Sequence, residues 1–243
     1  LPMQINDLIG ETATAGLRGK VILLAGASGN NGAAVLRVLG ELGLKVRAMS
    51  RNADAARAES ASRHEWVQGD VTDPGSLTKV LEGIEIVISA VATASPLGRN
   101  RPEKVDYEGT VNLARAARAA GARRFVIITS SVSGRKGGIM NFIGRDVLVW
   151  KGKAEEALMQ SGLEYVVVGP ARMTTEPGGR KQIRLIPRAD YRSGMMITRD
   201  DLAAVTVAVA GLPAAANRTF SAINGDAAAD LRWQETLLAM PNR

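Results

Sequence analysis

Residues 21–39 read VILLAGASGNNGAAVLRVL, and this stretch decides the fold. Its first five residues are an unbroken apolar run of strand length. From Ala33 to Leu42 the apolar residues recur at helical spacing. Between them stand Gly26, Gly29 and Gly32, spaced G-x-x-G-x-x-G. A turn that tight needs glycine wherever φ is positive or a Cβ would collide. Residues without side chains also let backbone N–H groups close on a pyrophosphate at the positive end of the following helix. Strand, glycine turn and helix in this order form the setting a dinucleotide site requires. Gly26, Ser28, Gly29, Asn30, Asn31 and Gly32 are therefore the expected phosphate-binding turn.

Outward from this unit the chain alternates. Strands are expected near 46–50, 66–69, 84–90, 125–129 and 165–168, with helices near 32–42, 75–81, 102–120 and 146–161. Runs such as IEIVIS and FVIIT are continuously apolar, as strands are when helices cover both faces of a sheet. The fold class is α/β, a Rossmann-type doubly wound parallel sheet with right-handed crossovers. Residues 172–197 break the rhythm with glycines, a proline and basic residues. A helix over 200–210, a strand over 219–223 and a closing helix over 231–240 follow. The organisation expected is a polar tail over 1–19, carrying the apolar cluster Ile5, Leu8 and Ile9, and one NAD(P)-binding domain over 20–243. Within that domain, 172–199 reads as a basic, lid-like segment in a small C-terminal substrate region.

Composition narrows the chemistry. With 243 residues, 46% of them hydrophobic, the chain can bury a sizeable core. No uninterrupted apolar stretch approaches the roughly twenty residues of a spanning helix. There is no cysteine, which excludes disulfides, thiol catalysis and thiolate metal sites. The one histidine, His64, cannot form a multi-histidine metal centre, and no metal is expected. The formal net charge of +7 suits a phosphate-rich cofactor, an anionic substrate or an acidic protein partner. Nucleic acid is disfavoured, because the basic residues are scattered and only three Phe, three Tyr and three Trp accompany them. The chain begins at Leu1 rather than methionine, which reads as processing or truncation, and its first residues match no signal or transit peptide.

The second strand selects the cofactor. Folds that prefer NAD place an acid near its end to bind the ribose hydroxyls. Here the segment is VRAMSRN, with Arg47, Ser50 and Arg51 and no acid. A guanidinium at that place attracts a ribose 2′-phosphate through charge-assisted hydrogen bonds. Arg51 follows directly from the strand end and is the better placed, so NADP(H) is expected. The ligand crevice lies beyond the carboxyl ends of the strands, where strand order reverses. Those ends supply residues 26–32, 50–51, 70–71, 90–92 and 129–131.

Several motifs then occur in a familiar order: GASGNNG, VQGDVTD, VISAVA, VDYEGTVNLARAARAAGARRFVIITSS, VWKGKAEEALMQSGLEYVVVGPARM and ITRDDLA. Over residues 20–224 the chain resembles an atypical short-chain dehydrogenase/reductase of the NmrA-like group, which has plastid stromal members. The resemblance implies that Asp70 and Val71 border the adenine. It places Ala90, Val91 and Ala92, with Thr129, along the cofactor, and Pro170, Ala171 and Met173 at its nicotinamide end. Family enzymes use a serine and a Tyr-x-x-x-Lys pair, in which the lysine holds the nicotinamide ribose and the tyrosine moves the substrate proton. Lys151 fits the lysine position and Ser131 the serine, with Ser130 and Ser133 as alternatives. Val147 stands where the tyrosine belongs. The family Arg-Pro-Gly after strand six reads Gly169-Pro170-Ala171. Two functions are compatible with this pattern. One is an NADP(H)-dependent reductase of a small carbonyl or quinone-like compound. The other is a catalytically silent nucleotide-binding subunit or redox-sensing scaffold of a larger complex. The chloroplast stroma is the location implied, with the mitochondrial matrix or cytoplasm as alternatives.

Overall fold

The computed structural model describes residues 2–59, 64–93 and 97–240. A short helix, α1 (Glu11–Leu17), leads into β1 (Val21–Ala25), α2 (Asn30–Glu41) and β2 (Lys45–Ser50). Then come α3 (Ala53–Glu59), β3 (Glu65–Gln68), α4 (Pro74–Val80) and β4 (Ile86–Ser89). A π-helical turn, Glu103–Glu108, runs straight into α5 (Gly109–Ala119), and β5 (Arg124–Ile128) follows. The chain continues through α6 (Ile139–Ile143), α7 (Val147–Met159), β6 (Glu164–Pro170), β7 (Arg172–Thr174), β8 (Lys181–Ile186) and β9 (Met196–Thr198). It ends with α8 (Arg199–Gly211), β10 (Arg218–Ala228) and α9 (Trp233–Ala239).

Eight strands form one sheet in the order β3-β2-β1-β4-β5-β6-β10-β8. Every neighbouring pair is parallel except β10 with β8, which is antiparallel. The doubly wound α/β sheet expected from the sequence is present, with one antiparallel edge strand added. Strand order reverses at β1, which has β2 on one side and β4 on the other, and this opens the crevice at their carboxyl ends. Two apolar layers flank the sheet. One gathers residues of α1, α2 and α8, including Leu17, Val35, Leu39 and Val205. The other gathers residues of α4, α5 and α7, including Leu77, Leu113 and Leu158.

Three segments add to or depart from the sequence expectation. Residues 5–17 are not a free tail. Leu8, Ile9, Ala13 and Leu17 are fully buried, the Trp233 indole donates to the Leu8 carbonyl, and α1 lies against α8. A Cβ on Gly16 would fall 2.1 Å from the Gly211 carbonyl oxygen, so this crossing needs both glycines. The apolar cluster of the expected tail is therefore part of the chain's own core. Second, α8 is buried all round, because it is sandwiched between the sheet and both α1 and α2. Third, the basic segment is partly strand: Ile183, Leu185 and Ile186 of β8 point inward while Lys181 and Arg184 stay exposed. Alternation with only six residues and an antiparallel partner left little apolar signal there.

At the amino-terminal edge of the sheet, buried Arg124 closes the end of α8. Its Nη1 donates to the carbonyls of Val209, Ala210 and Leu212 at 3.3, 3.1 and 2.7 Å, and its Nη2 meets Glu164 Oε2 at 2.8 Å. Burial alone would raise the Glu164 carboxyl, but hydrogen bonds and charge from Arg124 and Arg123 outweigh it and hold the pKa below the ordinary glutamate value.

Candidate cofactor cleft and catalytic flank

The three glycines of the first turn have three separate reasons. Gly26 has φ +78°, and a Cβ there would meet the Ala90 carbonyl carbon at 2.9 Å. Gly32 lies in the first turn of α2, where a Cβ would fall 2.0 Å from the Gly26 carbonyl oxygen. It fixes the close approach of helix and strand. Gly29, the residue before α2, is different: its added Cβ meets nothing closer than 3.4 Å. Its open face borders the crevice. The first turn of α2, Asn30 to Gly32, presents N–H groups the helix cannot satisfy itself.

A cleft of about 300 Å³ opens beside this turn. Of the residues put forward from the sequence, Gly26, Ser28, Gly29, Arg51, Asp70, Val71, Ala90, Val91 and Ala92 line it. Met49, Ser50, Gly69, Asn100 and Val105 complete the wall. Gly69 carried a faint signal in GDVTD, since a Cβ there would meet Met49 Sδ at 2.6 Å. Asn100 and Val105 come from beyond β4 and carried none. Asp70 shapes its own loop, with Oδ1 accepting from the Thr72 N–H and hydroxyl, both at 2.8 Å. The Asn112 amide donates to the Val71 carbonyl at 3.0 Å and holds that wall against α5.

The two arginines of the second strand separate cleanly. Arg47 is committed to structure: Nε meets Glu65 at 2.9 Å, and Nη1 donates to the Val80 and Glu82 carbonyls. Arg51 is exposed at the cleft rim, and its guanidinium has no hydrogen-bond or ion-pair partner among the described residues. These groups fit a nicotinamide dinucleotide: an open glycine face, a helix start and, among the described residues, a free guanidinium with no acid at the end of β2.

The remaining predicted residues lie outside this cleft. Asn30, Asn31 and Gly32 form the first turn of α2, next to lining residue Gly29, and Asn31 Oδ1 accepts from Arg199 Nε at 3.2 Å. Thr129 Oγ1 accepts from Arg188 Nη2 at 3.1 Å. The Ser131 hydroxyl is buried and donates to the Gly169 carbonyl at 2.8 Å, while the Pro170 carbonyl accepts from the Ser131 N–H. Ala171 bonds across to Ala222, and Met173 sits half-exposed on β7. Lys151, on α7, is locked: its Nζ stands 2.6 Å from Asp106 Oδ1, in a pair with Asp106 almost fully buried. The other Asp106 oxygen accepts from both the N–H and the hydroxyl of Thr93. Asp106 belongs to the π-helical turn, a distortion that recurs at functional sites. Sequence spacing gave no sign of this partner, 45 residues away.

Neither Tyr107 nor Tyr165 replaces the tyrosine missing at position 147. Tyr107 stacks on Trp150 at 5.8 Å, and Tyr165 is buried within β6. Lys153 lies over the Trp150 ring at 4.1 Å.

The family described as NAD(P)H-binding matches residues 26–213. The chain belongs to it. Among similar proteins, TIC 62 of Pisum sativum is 33% identical over 175 residues, covering 63% of this chain and 33% of that protein. Sanguinarine reductase of Eschscholzia californica is 26% identical over 239 residues, covering 82% and 87%. A putative NAD-dependent epimerase/dehydratase from Bacillus halodurans shares the fold at a TM-score of 0.75, with 24% identity over 90% and 99% of the two chains. The chain spans about a third of the length of TIC 62. Within the NAD(P)H-binding family it is an atypical short-chain dehydrogenase/reductase of the NmrA-like kind. Among the described residues, no helix is long and apolar enough to cross a membrane, and no cluster of metal-ligating side chains occurs.

Proposed function

We propose that this family member binds NADP(H) in preference to NAD(H) and uses it to reduce a small carbonyl or quinone-like compound. The Arg51 guanidinium at the cleft rim, unpartnered among the described residues and with no acid at the end of β2, carries the cofactor assignment. Bound NADPH would supply the hydride. Gly29 and the start of α2 would receive the pyrophosphate, Arg51 the 2′-phosphate, and Asp70 and Val71 would border the adenine. Lys151 keeps two of its three N–H donors after meeting Asp106, enough to hold ribose hydroxyls. Ser131 gives its only proton to Gly169, so it can assist a substrate oxygen only by turning away from that carbonyl. With valine at position 147, the proton comes from water or from the substrate itself.

The same two observations, Val147 and the engaged Ser131, support a second reading. In it the chain is a silent nucleotide-binding subunit or redox-sensing scaffold, working with an acidic partner or a larger complex. The plastid relatives favour the chloroplast stroma for either role. Calorimetric titration with NADPH and NADH, then NADPH oxidation against a panel of carbonyls and quinones, separates the two. Tight NADPH binding with turnover supports the reductase, binding without turnover supports the scaffold, and equal affinity for both nucleotides defeats the cofactor assignment. Adding the missing phenol with Val147→Tyr should raise any slow turnover, since general acid–base assistance is worth roughly 10²–10⁴-fold.

A further inference from the structure

A second cavity, of about 480 Å³, opens beside Ser131. Val132, Ala189 and Tyr191 give it apolar walls, while Arg135, Arg188 and Arg192 bring three guanidinium groups. We propose that this cavity is the substrate's anion subsite, and that the compound reduced carries a carboxylate. The inference rests on the reductase reading, because Ser131 holds the place of the family serine and lines this cavity.

The arginines differ in how they are held. Arg188 is fixed: Nη2 meets Glu155 Oε1 at 2.9 Å and Thr129 Oγ1 at 3.1 Å, with both partners buried. Gly169 makes room for it, since a Cβ there would fall 3.0 Å from Arg188 Nη2. Glycine in place of the family arginine after strand six thus admits an arginine from another segment. Arg188 Nε is buried with no partner among the described residues, and so is the Ser133 hydroxyl oxygen in the same wall. Buried polar groups left unpaired call for an explanation, and a bound anion supplies one. Arg135 makes no ion pair among the described residues, and Arg192 only donates to the Ala189 and Tyr191 carbonyls. Glu155 offsets a single charge of the three. Asp190 lies in the same turn but does not line the cavity.

A planar carboxylate matches the forked donors of arginine, and the volume suits a small molecule rather than a protein segment. Phosphate shares the chemistry, so the test uses both anions. The full chain, with and without saturating NADPH, is titrated calorimetrically with phthalate, inorganic phosphate and a polyglutamate peptide. The same titrations follow on the double variant Arg135→Gln/Arg192→Gln, whose two positions are exposed and outside the cofactor cleft. Phthalate is expected to bind and to lose about tenfold or more in the variant, with NADPH affinity unchanged. Phosphate binding better than phthalate, with the same dependence on the two arginines, overturns the carboxylate assignment in favour of a phosphorylated substrate. No binding of either anion, or equal binding by both proteins, overturns the subsite. Arginine-dependent binding of polyglutamate alone makes this a partner surface instead. Anion binding that persists when NADPH fails to bind retains the pocket while removing the reductase reading beneath it.

Discussion

The carboxyl edge of the sheet has two halves built from different materials. Around β1, β2 and β4 the wall is mostly backbone, glycine and small residues, shaped by Gly26, Gly29, Gly32 and Gly69. Around β5, β6 and α7 the wall is held by buried charge: Lys151 on Asp106, and Arg188 on Glu155. A backbone-built wall receives any ligand with the right phosphates, because its donors are the same in every sequence that leaves room for them. A wall of buried ion pairs is particular to its own side chains. On the proposed function, the first half therefore specifies a cofactor and the second a substrate or its absence.

The largest expected effects come from the glycines, and they separate two jobs within one motif. Gly32→Val should abolish the fold, since even its Cβ would lie 2.0 Å from the Gly26 carbonyl. Gly29→Val should leave the melting temperature within a few degrees and lower NADPH affinity by roughly a hundredfold or more. Circular dichroism and calorimetry read the two outcomes. A Gly29→Val protein that binds NADPH normally would remove the phosphate from this turn.

Next in size is the ion pair of the other half. Lys151→Ala strands a carboxylate whose side chain is 1% exposed, and breaking such a pair costs about 3–5 kcal/mol. Replacing both partners, Lys151→Met with Asp106→Asn, should recover most of that loss in urea denaturation. If Lys151→Ala proved as stable as the wild type, the lysine would be a free cofactor ligand and the contrast between the halves would fail.

How much of this was legible follows the same division. The glycine spacing, the apolar strands and the missing acid after β2 lie within a few residues of one another, and periodicity displays them. Lys151 meets Asp106, and Arg188 meets Glu155, only in the folded chain, across separations of 45 and 33 residues. The sequence showed Lys151 and the valine at 147, but not that Lys151 was already paired. Residues 5–17 were misread for a related reason. Leu8 and Ile9 look like a minor cluster until Trp233, 225 residues from Leu8, closes over them.

Arg51→Asp makes a more moderate change, confined to the backbone-built half. It should weaken NADPH by about ten- to a hundredfold, the worth of one charge-assisted contact of about 1.5–3 kcal/mol, and leave NADH no weaker. Arg47→Ala should instead lower stability with little change in nucleotide preference, because its guanidinium is bonded to Glu65, Val80 and Glu82. Exchange of these two outcomes would assign the 2′-phosphate to the wrong arginine.

The smallest effect is expected at the opposite edge of the sheet, where buried charge serves only the fold. The Glu164 pKa is lowered in the folded chain, so its stabilisation is complete above the unfolded value, near 4.5, and fades as pH falls through the folded one. Glu164→Gln should thus cost on the order of 1 kcal/mol at pH 7, and the difference from wild type should shrink steadily below about pH 4.5. Nucleotide selectivity at neutral pH should not move, because Glu164 touches Arg123 and Arg124 rather than the cleft. Paired chemical denaturation at pH 7 and pH 3.5 reads the difference directly. A stability gap that is unchanged at pH 3.5 would mean the pair carries no proton-linked energy. The hold on the carbonyls of α8 would then belong to Arg124 alone.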